Sequence, residues 1–317
     1  MSPAETSKPG IQAVSTAEAY QFCRDVARRE AKNFYWAFRV LPRHKSDAMC
    51  AVYAFMRHAD DIADNESKSL EARRAEMTSW LQSWRASRTS STEYESAANP
   101  VFLALDDTQQ RFSIPDALLE ELVAGTTMDL EPRPNPSEPQ TYATFDDLYR
   151  YCYLVASVVG LVCIRIFGYT DPRAEALAEE TGVAFQLTNI LRDVKEDAER
   201  NRIYIPLDLM DEFGESIPEL RELAAGRPMT ERERAMLATL AIRAEKYYVA
   251  AGKLIPLLDR DSRAAMHVLV AIYHRVLAQI AAHKMDVFTQ RASVSTPTKL
   301  AILTRGALMA AWNRVLS

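Results

Sequence analysis

Apolar residues recur at helical spacing along most of the chain. That periodicity predicts helices over about 17–33, 44–64, 68–87, 99–112, 115–129, 144–168, 173–198, 230–256, 260–290 and 297–315. Two breaks interrupt it. The stretch Arg88–Asn99 is polar, and Glu131–Pro139 (EPRPNPSEP) carries prolines too closely spaced to continue a helix. Both read as loops, the second as an extended connector or a flap at the mouth of a pocket. The first 16 residues are polar and broken by Pro3, Pro9 and Gly10, which predicts a loose tail. Residues 17–317 then form one all-α domain, with no internal repeat of fixed period.

Composition narrows what such a domain does. At 48% hydrophobic and 26% charged, 317 residues bury a large core. Only 9 glycines occur, and none forms a phosphate loop of the dinucleotide or Walker type. A formal charge of −5, with acids interleaved among Lys and Arg, argues against nucleic acid as a partner. An anionic ligand would need a bridging cation. Cys23, Cys50, Cys152 and Cys163 lie far apart without a C-x-x-C pair, which argues against zinc and against a disulfide framework, and fits a reducing cytoplasm. The most apolar segment, Tyr153 to Gly168, is shorter than the about 20 residues of a membrane span and carries Arg165. It reads as a buried core helix.

Two segments carry an unusual polar face. In Ala51–Asp64 (AVYAFMRHADDIAD), Phe55, Ala59 and Ile62 fall on one helical stripe, and Tyr53, Arg57, Asp60 and Asp64 on the opposite one. A solvated face would mix Lys and Glu, whereas this one stacks two aspartates at i, i+4 with Asp61 beside them, and their repulsion asks for a cation. Val183–Asp197 (VAFQLTNILRDVKED) divides in the same way. Val183, Leu187, Leu191 and Val194 share one face; Gln186, Asn189, Asp193 and Asp197 share the other, with Arg192 at its margin. One Asp-x-x-x-Asp is an ordinary surface accident. Two, each beside groups suited to a diphosphate, point to hard divalent cations that share carboxylates and phosphate oxygens.

With these helices in view, the chain resembles the squalene/phytoene synthase family, the head-to-head prenyl transferases, over roughly residues 20 to 300. The most specific piece is Asn189–Pro206 (NILRDVKEDAERNRIYIP), supported by Tyr53–Asp64 (YAFMRHADDIAD), Tyr151–Gly160 (YCYLVASVVG) and Asp286–Leu300 (DVFTQRASVSTPTKL). The resemblance implies a single-domain helical bundle of the isoprenoid-synthase type around a central cavity. It implies two or three Mg²⁺ ions bridging diphosphate, held by Asp60, Asp64, Asp193 and Asp197 with Asp61 near them. Diphosphate-binding groups fall on Tyr53, Arg57, Gln186, Asn189, Arg192, Arg202 and Tyr204, and the proton-handling tyrosine on Tyr151. Ala156, Ser157 and Gly160 resemble packing positions along the isoprenoid channel, and Phe34, Phe38 and Phe185 either line it or pack the core. Many relatives carry a serine pair where this chain has Ala31 and Asn33; Asn33 still offers an amide donor, Ala31 none.

The activity implied is condensation of two identical allylic diphosphates. Residues 145–168 and 283–300 look most like bacterial presqualene diphosphate synthases, which implies two farnesyl diphosphates as substrates. Phytoene synthases, which use geranylgeranyl diphosphate, are the alternative. No nicotinamide fingerprint is present and the sequence ends without the apolar anchor of eukaryotic squalene synthases, so NADPH is not expected. Two other classes compete: a non-catalytic respiratory-complex assembly factor, which the intact acidic pairs argue against, and a class I terpene cyclase, which the second Asp-x-x-x-Asp argues against. The expected location is cytoplasmic, with an apolar product compatible with transient contact at the inner membrane face.

Overall fold

Helix starts in this chain are marked by side chains that satisfy the first orphan N–H groups. Ser15, Thr144 and Thr230 each form a capping box with Glu18, Asp147 and Glu233, and Asn99 followed by Pro100 starts another helix. The computed structural model describes residues 14–89, 99–131, 135 and 138–315, without the side chains of 32–34, 36, 89, 129 and 312–315. The long helices are α1 (Thr16–Glu30), α2 (Lys32–Val40), α3 (Arg43–Ala63), α4 (Leu70–Thr89), α5 (Pro100–Phe112) and α6 (Asp116–Thr127). Then come α7 (Phe145–Cys152), a π-helical turn (Tyr153–Ser157), α8 (Val158–Phe167) and α9 (Arg173–Glu199). The short α10 (Leu207–Glu212) and α11 (Ile217–Ala224) precede α12 (Glu231–Leu254), α13 (Arg260–Ala282) and α14 (Thr296–Val315). Among the described residues the only β-type pairings are two isolated bridges, so the all-α expectation holds.

Two helices act as hubs. α9 packs on α12, α8, α13 and α11, while α3 packs on α1, α5, α6, α2 and α4. The α7–α8 rod lies between them and touches both. Its π turn is gripped by two glycines. A Cβ on Gly125 of α6 would stand 2.4 Å from the Leu154 carbonyl oxygen, and one on Gly182 of α9 would stand 2.5 Å from Ser157 Cα. No side chain fits at either crossing. The buried Lys45 ties the far end together: its Nζ donates to the Phe167 carbonyl (2.8 Å), Asp261 (2.7 Å), Asp259 (3.1 Å) and Ser262 Oγ (3.1 Å), joining α3, α8 and α13.

Several boundaries differ from the periodicity. The helix expected over 17–33 is broken at Ala31, which ends α1 and begins α2. The helix expected over 260–290 stops at Ala282, because Lys284 and Met285 take left-handed φ values of 54° and 61° and turn the chain back over the bundle. α10 and α11, each following or containing a proline, were not expected as helices. The apolar segment expected to be too short for a span is part of a continuous 23-residue rod, Phe145–Phe167, which, like Arg260–Ala282, is long and apolar enough for one. Both pack within the bundle, with Leu148, Ile164, Ile166 and Phe167 at 2% exposure or less, as core helices do. The middle of the proline-rich loop, most of Arg88–Asn99 and residues 1–13 lie outside the described residues.

Candidate active site

Both aspartate pairs occupy the final turns of their helices. α3 ends at Ala63 with Asp64 as its cap, and α9 ends at Glu199. Asp60, Asp64 and Asp197, within or beside the last turn, meet the negative end of the helix dipole, at a cost of about 0.3–1 kcal/mol each, while Asp193 lies further in. The two helix ends converge on one polar chamber of about 520 Å³, lined by Asp60, Asp64, Asp193 and Asp197 together with Arg192, Arg200 and Arg202. The crowding has a visible effect on Asp197. Burial, reinforced by the Asp193 charge, pushes its carboxyl up from 3.8 to about 7, and Arg202 and Arg200 offset this only in part.

Asp193 is bracketed by two guanidinium groups. Arg192 pairs with both of its oxygens, and Arg291 donates to Oδ1 at 2.8–2.9 Å while also reaching Glu196 at 3.3 Å. On α3 the Arg57 guanidinium holds Asp61 at 2.6 Å, and its buried Nε has no hydrogen-bond partner among the described groups. An orphaned N–H costs about 1–3 kcal/mol and suits an acceptor brought by a ligand. Asp61, expected beside the ions, faces outward at 54% side-chain exposure and lines none of the chambers.

The opposite wall is aromatic. Tyr151 is buried, donates its hydroxyl to Tyr204 Oη at 3.1 Å, and lies with its ring 4.9 Å from that of Tyr204 and 5.3 Å from that of Tyr142. Backbone bonds pin this wall. Ile203 donates to the Gln140 carbonyl (2.8 Å) and Leu207 to that of Tyr142 (2.9 Å), so the strand-like 140–142 segment lies along the chain leaving α9.

The polar chamber shares Met56, Asp60, Val155, Gln186 and Asn189 with a second, apolar chamber of about 400 Å³. Phe38, Ala156, Gly160 and Phe185 line it, and Tyr53 and Arg57 stand on its walls rather than in the polar chamber. Three helices run along it side by side, from Asp60 to Met49 on α3, Val155 to Phe167 on the α7–α8 rod, and Asn189 to Ala178 on α9. At 1.5 Å per residue its length is roughly 17 Å. The side chains of Asn33 and Phe34 are not described. Ser157 points away from the channel, its Oγ donating to the Glu179 carbonyl at 2.7 Å.

Residues that the sequence reading did not assign also belong to the site. Tyr273 of α13 stacks on Phe185 at 4.3 Å between ring centres, and burial pushes its phenol up to about 12. Arg200 lines the polar chamber, and Arg291, itself outside it, holds Asp193. Arg291 lies within the segment DVFTQRASVSTPTKL, but nothing in its spacing ties it to Asp193.

The arrangement fits a hard divalent cation. Two carboxylate pairs near negative helix ends, one with a carboxyl pushed up to about 7 by burial and by the neighbouring Asp193 charge, are relieved by positive charge. Among the described residues no three acidic, His or Cys side chains form a complete cage. An ion here would take one or two carboxylates and complete its shell with phosphate oxygens and water, as Mg²⁺ commonly does.

Comparison with known proteins agrees with this geometry. The profile described as squalene/phytoene synthase matches residues 27–298. Phytoene synthase of Mycobacterium tuberculosis is 36% identical over 278 residues, covering 88% of this chain and 87% of that protein. Phytoene synthase of Arthrospira platensis is 33% identical, covering 93% and 94%. Among solved structures, a dehydrosqualene synthase in complex with ligand superposes with a TM-score of 0.77 at 27% identity, covering 94% of this chain and 98% of the other. A squalene synthase from Alicyclobacillus acidocaldarius gives 0.73 at 25%, covering 85% and 95%.

Proposed function

The chain belongs to the squalene/phytoene synthase family of prenyltransferases, and from that premise we propose that it joins two geranylgeranyl diphosphates head to head on the route to phytoene. The observation that carries the reading is the adjacency of the two chambers, a charged one for diphosphate and an apolar one for the chain, which share Asp60, Gln186 and Asn189 in their walls. An extended chain covers about 3.5 Å per three bonds, so a lining of roughly 17 Å admits the main chain of a geranylgeranyl group, about 17 Å, as well as that of a farnesyl group, about 13 Å. The relatives named phytoene synthase support the longer substrate. The farnesyl substrate expected from the sequence is the second reading, favoured by the solved structures named dehydrosqualene and squalene synthase.

Mg²⁺ held by Asp60, Asp64, Asp193 and Asp197 would supply positive charge to the departing diphosphate. Arg192 in the polar chamber and Arg57 beside Asp60 would hydrogen-bond its oxygens, exchanging their present carboxylate partners for phosphate, while Arg291 holds Asp193 from outside the chamber. Loss of diphosphate from one substrate leaves an allylic cation, and the double bond of the second substrate attacks it. Phe38, Phe185 and Tyr273 keep water from that cation. The proton lost as the cyclopropane closes is relayed through the Tyr151 hydroxyl, which Tyr204 orients, to an oxygen of the released diphosphate, the base that keeps it.

Purified protein incubated with Mg²⁺ and either geranylgeranyl or farnesyl diphosphate, with and without NADPH, tests the reading. We expect condensation of geranylgeranyl diphosphate in preference to farnesyl diphosphate, without need of NADPH. A cyclised product from a single diphosphate, or no turnover of either substrate, would sink it.

A further inference from the structure

The last helix presents a face to solvent that the reaction site does not use. On α14, Leu300 and Leu308 are 64% and 67% exposed, and Ala301, Thr304, Ala307 and Ala311 are exposed beside them. Helical spacing places these six in one stripe. The opposite side of α14 is packed, with Ala310 against Ala264 of α13 and Val40 of α2, and Gly306 against Val268 of α13.

Charge on this segment differs from the remainder of the chain. After Asp286 the sequence contains no Asp or Glu, although it has 43 acids in all, yet it contains Arg291, Lys299, Arg305 and Arg314. Arg305 is exposed at the edge of the stripe, and Arg39 is exposed on α2, the neighbour of α14. A surface helix that leaves Leu300 and Leu308 in water, on a segment whose only charged side chains are cations, matches the chemistry of an anionic lipid surface.

We propose that the Leu300–Ala311 face of α14 docks the protein reversibly on an anionic bilayer. A second copy of the chain is the poorer occupant, because a two-fold interface through this face would bring basic helices together without an acid to pair them. The position is also useful. α14 packs on α2 and α13, whose other faces supply Phe38, Met266, Leu269 and Tyr273 to the apolar chamber, so the bilayer would lie one helix away from the channel. Docking itself does not depend on the proposed reaction; only its use for an apolar product does.

Co-sedimentation of the full-length protein with phosphatidylcholine vesicles and with vesicles rich in phosphatidylglycerol tests the proposal. Binding is expected to the anionic vesicles, weakened by salt. Arg305→Ala is expected to lower partitioning about fivefold. The double variant Leu300→Glu, Leu308→Glu is expected to lower it about a hundredfold. Turnover of detergent-dispersed substrate by the double variant should match the parent, since neither leucine lines a chamber. The proposal is overturned if the parent does not bind anionic vesicles, or if the double variant binds as well as the parent. It is overturned equally if sedimentation velocity shows a parent dimer that the double variant reduces to monomer, because the face then belongs to a second copy. Failure of the parent to turn over any prenyl diphosphate would strike the proposed reaction and leave the docking result intact.

Discussion

The polar and apolar chambers are walled by the same three rods, α3, α7–α8 and α9, used at opposite ends. At the polar end α3 and α9 contribute two carboxylates each near their negative termini, and the α7–α8 rod contributes Tyr151. At the apolar end the same rods contribute Met49, Val52, Gly160, Ile164, Ala178 and Thr181, ordinary core residues around a void. Crowded charge at one end opposes folding and awaits a ligand, whereas small side chains at the other leave room for a chain. Changes at the polar end should therefore alter rate without loosening the fold, and changes at the apolar end should alter which substrate is used.

The largest effect is expected from the carboxylates. Asp60→Ala and Asp193→Ala should each lower turnover by about 10³-fold or more, with helical content by circular dichroism unchanged. Near-normal activity in either variant would separate the two helices functionally. Tyr151→Phe removes a hydroxyl while keeping the ring among Tyr142 and Tyr204, and should slow turnover about 10²-fold with little change in KM.

At the apolar end, Gly160→Leu crowds a site where even a Cβ would stand 3.2 Å from the Ala178 carbonyl oxygen. It should lower kcat/KM for geranylgeranyl diphosphate about tenfold and for farnesyl diphosphate less, which paired kinetics would reveal. Equal losses on both substrates would mean that the channel does not measure chain length.

The smallest effect is on stability, and it has the opposite sign. Asp197 binds its proton more tightly folded, near pH 7, than unfolded, near 3.8. Folding therefore loses stability as pH rises through that window. Because Asp197 keeps some solvent contact, Asp197→Asn should stabilise the cation-free protein by only about 1 kcal/mol above pH 7, read by thermal melts in EDTA. A variant less stable than the parent would contradict the picture of crowded charge.

The same contrast explains what was legible in the sequence. Asp60, Asp64, Asp193 and Asp197 declared themselves because helical spacing alone puts each pair on one face. Ala156 and Gly160, which line the apolar chamber, were marked out only by family resemblance, since small residues at helical spacing read equally well as core. Arg291 was missed because it reaches Asp193 from 98 residues away, on a loop created by the left-handed turn at Lys284 and Met285. Tyr273 was missed because it reads as one more buried aromatic of α13. Asp61 looked like a third ligand from adjacency, but neighbouring positions on a helix point about 100° apart, and it turns outward to Arg57.

Whether the two acidic helices form one site is tested most directly by calorimetric titration of Mg²⁺ with inorganic pyrophosphate, which does not react. The parent, Asp60→Asn, Asp193→Asn and the double variant would be compared. Each single variant is expected to lose most of the binding and the double variant little more, because both carboxylates would serve the same cation–diphosphate cluster. Losses that simply add, or a single variant that binds as well as the parent, would contradict a single site.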